Sequence, residues 1–113
     1  MIRKFKLYIQ DIIDSIHNLQ EYTSGMNFEE FRRDKKTIDA VIRNFEIIGE
    51  ATKNVPDEIR NKYPSIPWKD MAGMRDKLIH QYFGVKINVV WAGISELLSY
   101  KPDLERILLE EEE

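Results

Sequence analysis

The sequence predicts an all-α protein, an antiparallel, up-down bundle of about five helices. Three observations predict it. Apolar residues recur at intervals of three and four through nearly the whole chain, the period of helices that bury one face. No segment alternates apolar and polar residues as a half-buried strand would. The prolines, four in 113 residues, stand at the borders of the periodic segments, where helices begin or end.

The elements follow in order. Phe5, Tyr8, Ile9, Ile12, Ile13, Ile16 and Leu19 form the stripe of a first amphipathic helix. Thr23-Ser24-Gly25 reads as a turn. Asn27 with Glu30 three residues on matches a capping box and starts a second helix. Its stripe is Phe28, Phe31, Ile38, Val41, Ile42, Phe45, Ile48, Thr52 and Val55, with a bend near Asp34. Pro56 suits the first turn of a short helix through Asp57–Tyr63. Pro64-Ser65-Ile66-Pro67 interrupts the pattern; the next helix begins at Pro67 or Trp68, runs to about Gln81 and stops before Gly84. Asn88 is the expected cap of a helix over Val89–Leu98, and Pro102 opens or kinks the last one. Residues 1–109 therefore read as one domain. Residues 110–113 are four glutamates that oppose the helix dipole and are expected to fray.

Composition narrows the function. With 42% hydrophobic and 33% charged residues the chain is neither disordered nor membrane-embedded. It has no cysteine, which removes disulfides, thiol catalysis and cysteine zinc sites and fits a reducing compartment. His17 and His80 are too far apart in sequence to suggest a metal site. Residues 103–113 carry a net −5 and the remainder +2, so the body can take an anionic ligand but lacks the basic excess of a duplex-DNA binder. No apolar run reaches membrane-spanning length and the N-terminus has no signal-peptide core, so a cytoplasmic, soluble protein is expected.

The chemistry lies in Gly73-Met74-Arg75-Asp76-Lys77-Leu78-Ile79-His80-Gln81-Tyr82. At about 100° per residue, Arg75 falls in the middle of an apolar stripe with Met71, Met74, Leu78 and Tyr82 on one side and Ala72 and Ile79 on the other. An arginine there is not placed for stability, because a buried guanidinium is costly unless paired. It needs a carboxylate, a phosphate or a partner-chain cleft. His80 lies about 140° from Arg75 but about 40° from Asp76, which can orient the imidazole and raise its pKa. Arg75 and His80 cannot both face one phosphate from a regular helix. Either the helix distorts before Gly84, or the site is shared with a second chain. The set suits metal-independent RNA cleavage: the 2′-OH is the nucleophile, a base and an acid move the protons, and a cation stabilises the phosphorus transition state. A twofold homodimer placing two His80 residues across a cleft would supply both acid and base.

The pattern Arg75-x4-His80-x-Tyr82 resembles the Arg-x4–6-His motif of HEPN-domain ribonucleases and, more closely, HepT-type toxins of two-gene toxin–antitoxin modules. Ile48-Gly49-Glu50-Ala51, Pro64-Ser65-Ile66-Pro67-Trp68, Gly73-Met74-Arg75, His80-Gln81-Tyr82 and Val90-Trp91 stand in the family's order. The resemblance implies a HEPN-like helical homodimer and a metal-independent, cofactor-free endoribonuclease toxin of the type VII kind. It assigns catalysis to Arg75 and His80, with Asp76, where many relatives carry Asn, as polar helper. It also implies an MntA-type nucleotidyltransferase antitoxin that moves AMP from ATP onto Tyr82. The rival function is a non-catalytic helical adaptor that presents substrate to that nucleotidyltransferase.

Simpler readings compete at several positions. Arg75 can be a structural ion pair with Glu46 or Glu50, and His80 a surface or capping residue. Asp76 can be merely solvated, and Tyr82 a core tyrosine with its hydroxyl at the rim. Gly49 suggests a close helix crossing. Arg32-Arg33-Asp34-Lys35-Lys36 reads as a solvated face more readily than as an RNA track. Trp68 and Trp91 read as core or interface anchors, and His17 as structural.

Overall fold

The computed structural model describes residues 3–80 and 86–112, with residues 75–80 described by their backbone. Among these residues there are seven helices and no strand: α1 (Phe5–Thr23), α2 (Phe28–Arg33), α3 (Lys35–Lys53), α4 (Asp57–Lys62), α5 (Trp68–His80), α6 (Ile87–Ser99) and α7 (Lys101–Glu110). The all-α expectation holds. The helix count exceeds the expected figure of about five: the six helical segments read in order become seven because Asp34 does more than bend the second helix. Its carboxylate accepts from the Thr37 backbone N–H at 3.0 Å and from the Thr37 hydroxyl at 2.8 Å, capping a fresh helix and splitting the segment into α2 and α3. These bonds, the backbone one first, hold the Asp34 pKa below the usual carboxylate value.

The capping box is present as expected: Asn27 Oδ1 accepts from Glu30 N at 2.8 Å, and Glu30 Oε1 accepts from Asn27 N at 3.1 Å. One expected cap is not. Helix α6 begins at Ile87 with Lys86 as its cap residue, so Asn88 sits inside the first turn. The apolar period that begins at Ile87 carries the helix past the polar side chain that invited a later start.

The core lies between α1 and α3. Ile9, Ile12, Ile16, Leu19, Val41 and Ile48 are fully buried, as the periodicity requires. At about 25 cal/mol per Å² of apolar surface, such side chains supply most of the fold's drive. Helix α3 packs against α1 and also against α5, while α6 and α7 close over α1. Polar groups in the interior are paired: Asn18 Nδ2 donates to Asn44 Oδ1 at 3.1 Å, and Asn44 Nδ2 donates to the Ala40 carbonyl at 2.9 Å. The Thr23 and Thr52 hydroxyls return to the Leu19 and Ile48 carbonyls at 2.7 and 2.6 Å. No buried side-chain nitrogen or oxygen lacks a partner among the described residues. The end of α3 is closed from outside itself, because Arg60 donates to the Thr52 carbonyl at 2.6 Å and the Val55 carbonyl at 3.1 Å.

Candidate active site

Helix α5 begins where Ile66 turns the chain, and its start is tied down by one carbonyl. Tyr63 O accepts from Ile66 N at 3.2 Å and from the Trp68 indole N–H at 3.0 Å. Trp68 is a core anchor, 6% exposed. The same tyrosine is held from its other end. Its hydroxyl donates to Glu111 Oε2 at 2.7 Å and lies 3.1 Å from Glu110 Oε2, while Lys62 Nζ donates to Glu111 Oε1 at 2.9 Å. Glu111 is therefore not a free end but the clasp on the connection that leads into α5. Lys62 and then Tyr63 lower the Glu111 pKa, and Glu111 in turn raises those of Tyr63 and Lys62. Sequence reading missed this clasp; a run of four acids carries no sign that one of them folds back.

The backbone of α5 is α-helical from Trp68 to His80. Met71, 1% exposed, marks its core direction. Relative to Met71, the helical register puts position 75 at about 40°, position 76 at about 140° and position 80 at about 180°. The arginine position thus lies on the core-side edge of the helix and the histidine position on the side opposite the core. Positions 76 and 80 are one turn apart in that register. The backbone is helical up to His80; residues 81–85, which include the stretch just before Gly84 where a distortion was considered, lie outside the described residues. Tyr82 and Gly84 lie outside the described residues, as do the side chains of Arg75, Asp76 and His80. Glu46, one of the two acids considered for Arg75, lies 3.6 Å from Arg43.

Other candidates resolve plainly. In the basic run, Arg32 and Arg33 lie 2.9 and 3.6 Å from Glu29 and Lys35 lies 2.9 Å from Asp39, all at the surface. That run is a locally neutralised, solvated face. Trp91 packs against Phe31 and Phe28 with ring centroids 4.9 and 6.3 Å apart, an anchor between α2 and α6. His17 is exposed beside Glu21 at 3.7 Å. Gly49 is buried in α3, which packs on α5. Among the described residues no three His, Cys, Asp or Glu side chains are grouped to hold a metal, and no helix is long and apolar enough to cross a membrane. An open hollow of about 350 Å³ lies between α4 and the start of α5, lined by Arg60, Asn61, Pro67, Lys69 and Asp70 among others.

An all-α bundle, with seven helices among the described residues and the Arg-x4-His pattern on the fifth, is consistent with a HEPN-like protein. Comparison with known proteins makes the assignment specific. The HepT-like family, described as ribonuclease HepT-like, matches residues 12–110, and the chain belongs to it. A protein of Thermococcus cleftensis named "Probable ribonuclease HepT" is 48% identical over 108 residues, 95% of this chain and 98% of that protein. A protein of Methanocaldococcus jannaschii, provisionally named an RNase, is 46% identical over 112 residues, 98% of this chain and 97% of its own length. Another, from Caldanaerobacter subterraneus and also provisionally named an RNase, is 46% identical over 99 residues, 88% of this chain and 86% of its own. No solved structure matches the chain. The family supports a ribonuclease function for this protein.

Proposed function

We propose that the protein is a metal-independent endoribonuclease toxin that works as a homodimer in the cytoplasm, cuts RNA through Arg75 and His80, and is silenced by AMP transfer to Tyr82. The observation that carries this is the unbroken helix through His80, which sets the two catalytic positions about 140° apart around one axis. One regular helix does not turn both positions toward one phosphate; two chains related by a twofold supply two of each. In the reaction the RNA 2′-oxygen attacks the adjacent phosphorus as one His80 takes its proton. The bond to the 5′-oxygen breaks as the second His80 protonates it, leaving a 2′,3′-cyclic phosphate and a 5′-hydroxyl. Arg75 stabilises the charge on the phosphoryl oxygens. Asp76, one turn before His80 on the same side, orients the imidazole.

The silencing partner is a nucleotidyltransferase antitoxin of the MntA type. The Tyr82 oxygen attacks the α-phosphorus of ATP, pyrophosphate leaves and the phenolic proton is lost to a base. The resulting phosphodiester places negative charge two residues from His80, where an RNA phosphate must sit.

The test uses the purified full chain and single-stranded RNA in EDTA. Wild type should cleave, and His80→Ala should not while keeping its helical circular dichroism. Cleavage by His80→Ala would remove the catalytic role, and loss of wild-type activity in EDTA would point to a metal. RNA binding without cleavage would favour the adaptor function. After incubation with the partner and ATP, mass spectrometry should find AMP on Tyr82, and an adduct elsewhere would remove that assignment.

A further inference from the structure

Whatever fixes the start of α5 fixes where positions 75 and 80 stand. Helix α3 packs on α5, but the chain enters α5 through residues 63–67, which follow a helix of only six residues, α4. Pro64 and Pro67 have a fixed φ and no N–H to donate, so this connection is stiff and makes few bonds of its own. Tyr63, 6% exposed, is its fixed point and is held at both ends. Its carbonyl accepts from Ile66 N and from the indole of Trp68, the first residue of α5, and its hydroxyl reaches the end of α7.

The end of α7 is itself anchored. Leu104 and Ile107 are fully buried, and α7 packs against α1. Lys6 Nζ of α1 donates to the Leu108 carbonyl at 3.1 Å. Glu111 N donates to the Ile107 carbonyl at 3.0 Å, and there the backbone turns from helical to extended. That turn brings the Glu111 carboxylate, 12% exposed, onto Tyr63 and Lys62. A continuous path thus runs from α1 through α7, Glu111 and Tyr63 to Trp68. Stability is not what the Glu111 joint chiefly supplies. Its Lys62 arm is more than half exposed, and such a pair contributes little. A carboxylate taken out of water gains about what its desolvation costs, and an apolar side chain packed on the Tyr63 ring would avoid that cost. What the carboxylate adds is direction, because a hydrogen bond is satisfied by one placement of the phenol where apolar contact tolerates many. The hydroxyl has one proton and two carboxylates before it. Glu111 takes it at 2.7 Å, and Glu110, 3.1 Å away and 3.5 Å from Arg106, is the second acceptor.

We propose that Glu111 and Tyr63 form a strap that holds the start of α5 in place on the α1–α3 frame, and that opening the strap loosens the first turns of α5 while the frame stays folded. The consequence for activity rests on the nuclease reading above: Glu111 and Tyr63 touch no RNA and act as positioning residues, through the helix that carries positions 75 and 80.

The test is native-state hydrogen exchange, read by mass spectrometry, on the full chain without RNA. Tyr63→Phe keeps the ring and removes the donor to both carboxylates. Amides of residues 66–74 should then exchange roughly tenfold faster, and those of α1 and α3 at the wild-type rate. Glu111→Ala should give the same pattern to a smaller degree, since Glu110 can take over the hydroxyl. Glu111→Gln, whose amide oxygen still accepts, should recover part of the protection. The double variant Tyr63→Phe/Glu111→Ala should be no faster at 66–74 than Tyr63→Phe alone. On single-stranded RNA, Tyr63→Phe should lower kcat severalfold with KM unchanged. Unchanged exchange at 66–74 would overturn the proposal. So would an equal rise across α1, α3 and α5, which would make the contact ordinary stabilisation. A normal kcat in a variant whose α5 is loosened would remove the positioning role. If the exchange pattern is found but wild type cuts no RNA, the strap stands and the nuclease reading falls. If wild type cuts RNA and the pattern is missing, the reverse holds.

Discussion

The inward positions of α1 and α3 are filled mostly by isoleucine, leucine, valine and phenylalanine, with Gly49 and a few paired polar residues among them, whereas the register of α5 puts an arginine position at the edge of its inward side. The first pair follows packing closely: its interior polar residues bond within the pair, through Asn18–Asn44 between the helices and the threonine hydroxyls within them. Helix α5 departs from the same rules at the positions that the proposed chemistry uses. Local rules are broken where a protein must meet something other than itself. The α1–α3 pair is thus a frame, and α5 is an exposed edge held on it by α3 and by the Tyr63–Trp68 connection.

The strongest way to break this contrast is a substitution that should damage chemistry and spare the fold. Arg75→Ala should lower RNA cleavage by roughly a hundred- to a thousandfold, with the melting temperature unchanged or raised, since no stabilising role is assigned to the guanidinium. A large drop in melting temperature would instead make Arg75 part of the frame. The converse substitution is Ile48→Ala. Ile48 is 0% exposed in α3, and its truncation should cost about 2–5 kcal/mol in urea unfolding. Cleavage per folded molecule should persist. Loss of activity without loss of stability there would dissolve the distinction between the two regions.

The smallest effect sharpens the contrast from the C-terminus. Asp34 and Glu111 have pKa values held below their ordinary ones, by Thr37 and by Lys62 with Tyr63 respectively. A lowered carboxylate pKa means the unfolded chain binds more protons, so stability is present above the unfolded values near pH 4 and is lost as pH falls through the folded ones. Melting temperature should therefore decline below about pH 4, and Glu111→Gln should remove part of that decline while leaving the Asp34 part. Tyr63, whose pKa Glu111 raises, acts oppositely: its contribution is intact below about pH 10 and falls above it. An acid limb identical in Glu111→Gln and wild type would show that the clasp holds little.

The α1 and α3 stripes and the Asn27 capping box were legible because period and cap chemistry are local properties of consecutive residues. The split at Asp34 was half legible: its position was evident, but whether a capping side chain bends a helix or restarts it depends on how α2 and α3 each pack. Asn88 misled because a good cap residue is used only where the apolar face permits the helix to start.

What the sequence determined by itself is the helical period, the boundaries that prolines and caps enforce, and the presence of a cation and an imidazole five residues apart on one helix. Tertiary structure alone decided which side of α5 is inward, that Glu111 folds back on Tyr63 and Lys62, and that Arg60 closes the end of α3. The reason is physical. Period and capping are fixed by neighbours within one helical turn, whereas the Tyr63–Glu111 bond joins residues 48 apart, and only the packed chain sets which of the many distant pairs can meet.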